Sequence, residues 1–174
     1  DVVIDGNVLS WRKSLKYEAI IDMPKQLPGV EMELTFSGMG EDGPRFAQHG
    51  WVVRDALMLS QNSWDYRDYI RNSRGEFTVA KDQNVKLKSG WFSDRSACYL
   101  ASGRPVITEN TGFGSFLPTG EGLLAFETMD EAIGHIENIE SDLDKHRRAA
   151  RHIAEEYFDT GKVLGEMLRA MDLL

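Results

Sequence analysis

The 174 residues predict an α/β fold: a parallel sheet of about six strands with helices on both faces. Three observations carry that expectation. Short β-rich runs alternate with helical patterns along most of the chain, the length suits one substantial core, and a composition of 41% hydrophobic and 28% charged residues is that of a folded globular chain.

The strands are expected at Val2–Ile4, Met32–Phe36, Trp51–Val53, Phe77–Ala80, Pro105–Thr108 and Leu123–Phe126, a Rossmann-like alternation within a single domain over residues 1–174. A first helix is expected from Ser10 to Met23, with Leu15, Ala19 and Ile20 on its apolar side and Pro24 and Pro28 beyond it. Asp65–Asn72 reads as a short helix ended at Arg74-Gly75. Ser93 opens another, with Ala97, Leu100 and Ala101 at helical spacing and Gly103 as its stop. Thr128-Met129-Asp130-Glu131 has the spacing of a capping box, and Ile133, Ile136, Ile139 and Leu143 continue the helix it begins. Two further helical pieces divide near Asp159-Thr160-Gly161.

Charge and composition exclude several function classes. With 20 basic against 28 acidic residues the formal charge is −8, which disfavours broad contact with nucleic acid or anionic lipid, so any phosphate site must be local. No apolar run is long enough for a transmembrane segment, and Cys98, the one cysteine, excludes an internal disulfide and suits the cytoplasm. The start at Asp1, running directly into a strand, reads as a fragment or excised domain. His49, His135, His146 and His152 show no paired ligand spacing, so no metal is expected. Cys98 is expected to be a packed thiol, and Trp11, Trp51, Trp64 and Trp91 core or interface residues, with Trp91 bordering the cleft described next.

Parallel sheets collect ligands at the carboxyl ends of their strands, where loops enter helices that present free N–H groups. Two loops fit. One runs from Lys81 through Lys88, Ser89 and Gly90 to Ser93-Asp94-Arg95, and the other contains Thr111-Gly112-Phe113-Gly114. The first offers cations and backbone donors; in the second, glycines let the backbone approach a bulky ligand. Alternative readings stand beside these: Lys86 and Lys88 as exposed strand residues around Leu87, Arg95 paired with Asp94 or Glu131, Asp94 as a helix cap, and the glycines as turn residues. The run Gly38-Met39-Gly40-Glu41-Asp42-Gly43 has the form of a dinucleotide fingerprint, but its two acids repel a pyrophosphate and Pro44–Gly50 leaves little room for the required helix. It reads as a polar surface loop.

From Ser73-Arg74-Gly75-Glu76-Phe77 and Gly90-Trp91-Phe92-Ser93-Asp94-Arg95-Ser96-Ala97-Cys98 to Arg104-Pro105-Val106, and on through Thr111–Gly114 and Leu117–Gly122, the chain resembles bacterial glycosyltransferases of the group-1-like, spore-protein-like kind. The resemblance implies one half of a GT-B fold, the C-terminal domain that binds a nucleoside-diphosphate sugar, with an acceptor-binding N-terminal domain as its partner. It implies a hexosyltransferase-like enzyme that is inactive without that half, requires no metal or other cofactor, and binds its donor through Lys81, Gly90, Ser93, Asp94, Arg95, Thr111, Gly112, Gly114 and Glu121. The best-known retaining relatives carry two glutamates around the donor-site helix; the matching positions here are Gly90 and Cys98. A non-catalytic nucleotide- or partner-binding domain is the alternative.

Overall fold

The computed structural model describes every residue except 1, 5, 39 and 174. Met39 of the glycine run therefore lies outside the described residues, as does Asp1. The chain divides into two compact units, Arg12–Asn72 and the remainder, which are described separately.

In the unit Arg12–Asn72, β3 (Glu33–Phe36) and β4 (Val52–Asp55) pair in parallel, with Glu33 opposite Val52 and Phe36 opposite Asp55. The connection between them contains α2 (Asp42–Gln48), where the sequence predicts only a loop. Gly43 and Pro44 fall in its first turn, where a missing N–H leaves no helical hydrogen bond unmade. Phe46 and Trp51 are buried at 6.3 Å, edge to face, and the Trp51 indole N–H donates to the Ile21 carbonyl at 2.8 Å. The expected helix from Ser10 shrinks to α1 (Ser14–Ala19), and Pro24 sits within a 3₁₀ turn, Met23–Gln26. Two helices follow β4: α3 (Ala56–Ser60), capped by Asp55 on the Leu57 amide at 2.8 Å, and α4 (Ser63–Asn72).

The other unit begins with an antiparallel hairpin, β1 (Val2–Ile4) and β2 (Asn7–Leu9). Its main element is a parallel three-stranded sheet in the order β5 (Glu76–Thr78), β6 (Val106–Glu109), β7 (Leu123–Phe126). Between β5 and β6 lie α5 (Asp82–Lys86) and α6 (Asp94–Ala101). After β7 come α7 (Met129–Ser141), α8 (Leu143–Tyr157) and α9 (Thr160–Ala170). The capping box forms as the sequence predicts: the Glu131 amide donates to Thr128 Oγ1 at 3.2 Å, and the Thr128 amide donates to Glu131 Oε2 at 3.4 Å. Leu100, Val106, Leu123, Leu124 and Phe113 form the core, with Ala150 and Ile153 of α8 buried as well.

The fold is α/β with parallel pairing, and all six expected strands are present within a residue or two. They do not form one six-stranded sheet. The described strands make three sheets of two, two and three strands, and β2 was not expected at all. Alternating apolar content shows which residues extend but not which strands pair, and pairing is where the expectation fails.

Candidate functional site at the carboxyl ends of β5, β6 and β7

Because β5, β6 and β7 are parallel, their carboxyl ends face one way, and the chain leaves each of them there into a loop. After β5 the backbone continues to Lys81, which precedes α5; the Ala80 amide donates to Glu109 Oε2 at 3.0 Å and ties this end of β5 to β6. The Lys81 ammonium lies 4.5 Å from the centre of the Trp11 ring, a cation–π contact brought about by the hairpin. The hairpin is held to α5 by the Ser10 amide on Asp82 at 3.1 Å and by Lys86 on the Val8 carbonyl at 3.4 Å.

The two predicted loops meet. The Gly90 amide donates to the Thr111 carbonyl at 2.8 Å, and the Thr111 hydroxyl donates to the Trp91 carbonyl at 2.6 Å. Gly112 is left-handed (φ +90°), and a Cβ there would lie 3.2 Å from the Lys88 carbonyl oxygen and 3.3 Å from the Lys88 Cβ. Glycine is therefore required both by conformation and by the close approach of the first loop. The Gly112 amide donates to Asn110 Oδ1 at 2.9 Å. Gly114 lies in the 3₁₀ turn Phe113–Ser115, with room for a Cβ at ordinary contact distance.

Ser93, buried, stands at the start of α6, and its hydroxyl is 3.4 Å from Asp94 Oδ1. The same oxygen accepts the Arg95 amide at 2.8 Å, so the Asp94 carboxylate occupies the first turn of the helix. Arg95 turns to β5: its Nε donates to Glu76 Oε1 at 2.5 Å and its Nη2 to Thr78 Oγ1 at 3.0 Å. The Glu76 side chain is 5% exposed, and its other oxygen is buried without a hydrogen bond among the described residues. Arg95 thus neutralises a buried acid, a partner that neither Asp94 nor Glu131 supplies.

Glu121 stands apart. It precedes β7, and its neighbour Gly122 accepts the amide of Val106, the first residue of β6; this is the amino end of the strands. There Glu121 pairs with Lys145 at 2.8 Å.

Lys88, which the sequence places in the first loop, and two residues that it does not single out, Asn110 and Glu127, complete the carboxyl end. Lys88 follows α5 with a left-handed backbone (φ 46°), in the loop and not in the strand that the alternative reading offered, and its Nζ reaches Glu127 Oε1 at 2.9 Å and the Asn110 carbonyl at 3.5 Å. Asn110 Nδ2 donates to the same Glu127 oxygen at 2.9 Å. Hydrogen bonding by Lys88, then its charge and the Asn110 amide, hold the Glu127 carboxyl below the usual range. The rule that ligands gather beyond strand ends marks Asn110 and Glu127 as the first residues after β6 and β7. Cys98 is exposed on α6 instead of packed. Partial burial, then the negative charges of Asp94 and Glu76, push its thiol up, so it remains protonated at neutral pH.

Among the described residues no group of three or more His, Cys, Asp or Glu is placed to hold a metal ion, and no helix is long and apolar enough to cross a membrane. No protein-family profile and no curated protein matches the chain. Among solved structures it is similar to the crystal structure of a GtfA/B complex, with a TM-score of 0.54 at 16% identity, covering 83% of this chain and 30% of that one. At such an identity the likeness is one of fold alone: this chain shares its α/β fold with part of that neighbour.

Proposed function

We propose that the chain binds a nucleoside-diphosphate sugar as the donor domain of a GT-B glycosyltransferase, for transfer of the sugar to an acceptor held by a second domain outside these 174 residues. The observation that carries this reading is the junction of the loops after β5 and β6, where Gly90 and Trp91 bond to Thr111 and Gly112 leaves its backbone uncovered by a side chain. The fold likeness supports it, over 83% of this chain and 30% of that neighbour. In this reading Lys81 offsets diphosphate charge, Gly90, Thr111, Gly112 and Gly114 shape the floor, and Ser93 and Asp94 meet ribose or sugar hydroxyls. Charge developing on the leaving diphosphate is met by fixed cations and dipoles that need no reorganisation. Arg95 orders β5 against α6 through Glu76, and Glu121 belongs to the opposite strand end.

The alternative is a non-catalytic nucleotide- or partner-binding domain. Two observations favour it: the Asp94 carboxylate occupies the amino end of α6, where an anion would otherwise sit, and Gly90 and Cys98 stand where the resemblance places two glutamates.

Titrating the chain with UDP, GDP and ADP, followed by amide chemical shifts, tests donor binding. Shifts at Gly90, Thr111 and Gly112 are expected for at least one of them, and Lys81→Ala is expected to weaken that binding about tenfold, the loss of one charge-assisted contact. Flat titrations with all three would end the proposal. Lys81 is the better probe than Arg95, because deleting Arg95 strands the buried Glu76 charge at a cost of about 3–5 kcal/mol to the fold.

A further inference from the structure

We propose that Lys88 receives the diphosphate of the donor together with Lys81, and that Glu127 is a built-in substitute for the diphosphate, displaced when the ligand arrives; this rests on the donor-site reading above. At Lys88 all three strand-end loops meet. Its backbone, in the loop after β5, lies against Gly112, and its ammonium touches the Asn110 carbonyl after β6 and the Glu127 carboxylate after β7.

The cations nearby are committed differently. Lys81 rests on the Trp11 ring, Arg95 serves the buried Glu76, and Lys86 reaches the Val8 carbonyl and lies 4.0 Å from Asp82 on its own helix. The carboxylate held by Lys88 comes from a different loop and is exposed on the surface, the side chains being 51% and 60% exposed. An exposed pair of this kind adds little to stability, so exchanging its anion costs the fold little. An ammonium is a compact charge with three rotatable donors, able to pass from a carboxylate to a diphosphate without moving its backbone. A diphosphate brings more negative charge and more acceptor oxygens than one carboxylate, and it therefore wins the exchange at sufficient concentration. The left-handed backbone at Lys88, uncommon for a residue with a side chain, holds the loop against Gly112 and keeps the ammonium over the strand ends.

The test is calorimetric titration of the full chain, of Lys88→Met and of Glu127→Gln, with UDP, GDP, ADP and inorganic pyrophosphate. Met keeps the stem of Lys without its charge, and Gln keeps an oxygen for Asn110 Nδ2 while removing the competing anion; thermal melting checks that both variants fold. The expected order is Glu127→Gln tighter than the parent by about threefold, the scale of one exposed ion pair, and Lys88→Met weaker by about tenfold or more. Pyrophosphate should give the same order. If the parent binds a nucleoside diphosphate and Glu127→Gln does not bind it more tightly, or Lys88→Met binds it equally well, the exchange is refuted while the donor site stands. If neither the parent nor either variant binds any of the four, the donor-site reading itself fails. In Glu127→Gln, melting behaviour like the parent's with unaltered affinity also counts against the exchange, since the fold then survives without any gain at Lys88.

Discussion

His146 is a buried residue whose protonation bears on the fold. Its side chain is fully enclosed, with the residue 1% exposed, and Nδ1 accepts the Gly122 amide at 3.2 Å, which requires the neutral ring. Burial first, then the Lys145 charge, draws its pKa below 6.5, against a weaker opposite pull from Glu121 and Asp142. The folded imidazole therefore takes up a proton less readily than the unfolded one. Its contribution is intact above about pH 6.5 and is lost as pH falls through the lowered folded value. Thermal melts should accordingly show a drop in midpoint between about pH 7.5 and pH 5.5. His146→Asn, which offers an oxygen to the Gly122 amide but does not titrate, should show a smaller drop; an equal drop in both proteins would locate the acid sensitivity elsewhere. The same neighbourhood shows what a sequence conceals. Helical spacing sets His146, and not His152, on the face of Ala150 and Ile153, but the hydrogen bond to Gly122 is not legible, because it depends on which strand end that face meets. Likewise Arg95 was recognisable as a cation near a strand end, but its partner Glu76, nineteen positions earlier, is set by the packing of α6 against β5.

At the level of elements, local chemistry was legible wherever the signal lies within one turn. The Thr128–Glu131 cap is the clearest case, and Glu131 Oε2 also accepts the Glu127 amide at 2.7 Å, extending the cap back to the residue that holds Lys88. Thr128→Ala should cost about 1 kcal/mol, read as a lowered melting midpoint, because one amide at the start of α7 loses its acceptor. An unchanged midpoint would mean that water replaces the hydroxyl fully. Short elements were less legible. Helices α2 and α5 are seven and five residues long, too short for an apolar face to repeat, and the Lys86-Leu87-Lys88 alternation imitates a strand. The start of α1 was misplaced because Ser10 is still bound to the hairpin side, with its amide on Asp82, and the chain turns helical only four residues later. The candidate loops were legible from position alone, since β-to-α turns beyond a parallel sheet follow from strand order. Their mutual contact at Thr111 was not, as it depends on the path of thirteen residues between β6 and β7.

Across the whole molecule, the six expected strands are all found with β2 added to them, but sheet continuity does not hold, because three-residue strands carry too little pattern to specify neighbours. Helix α9 shows the converse: a strong apolar face with little beneath it. Val163, Leu164, Met167 and Met171 recur at helical spacing and are 39% to 63% exposed. A face so open contributes little to the core, so Leu164→Glu with Met167→Glu should move the melting midpoint by no more than about 2 °C while reducing self-association in light scattering. A collapse in stability would instead show that α9 is seated on the fold. Helix α8 is anchored in another way. A Cβ on Gly122 would come within 2.2 Å of the Ala150 nitrogen, so here strand and helix touch peptide to peptide. The height of α8 over the sheet is consequently fixed by main-chain atoms common to every amino acid, and evolution can rewrite the outer flank of that helix freely so long as position 122 stays bare.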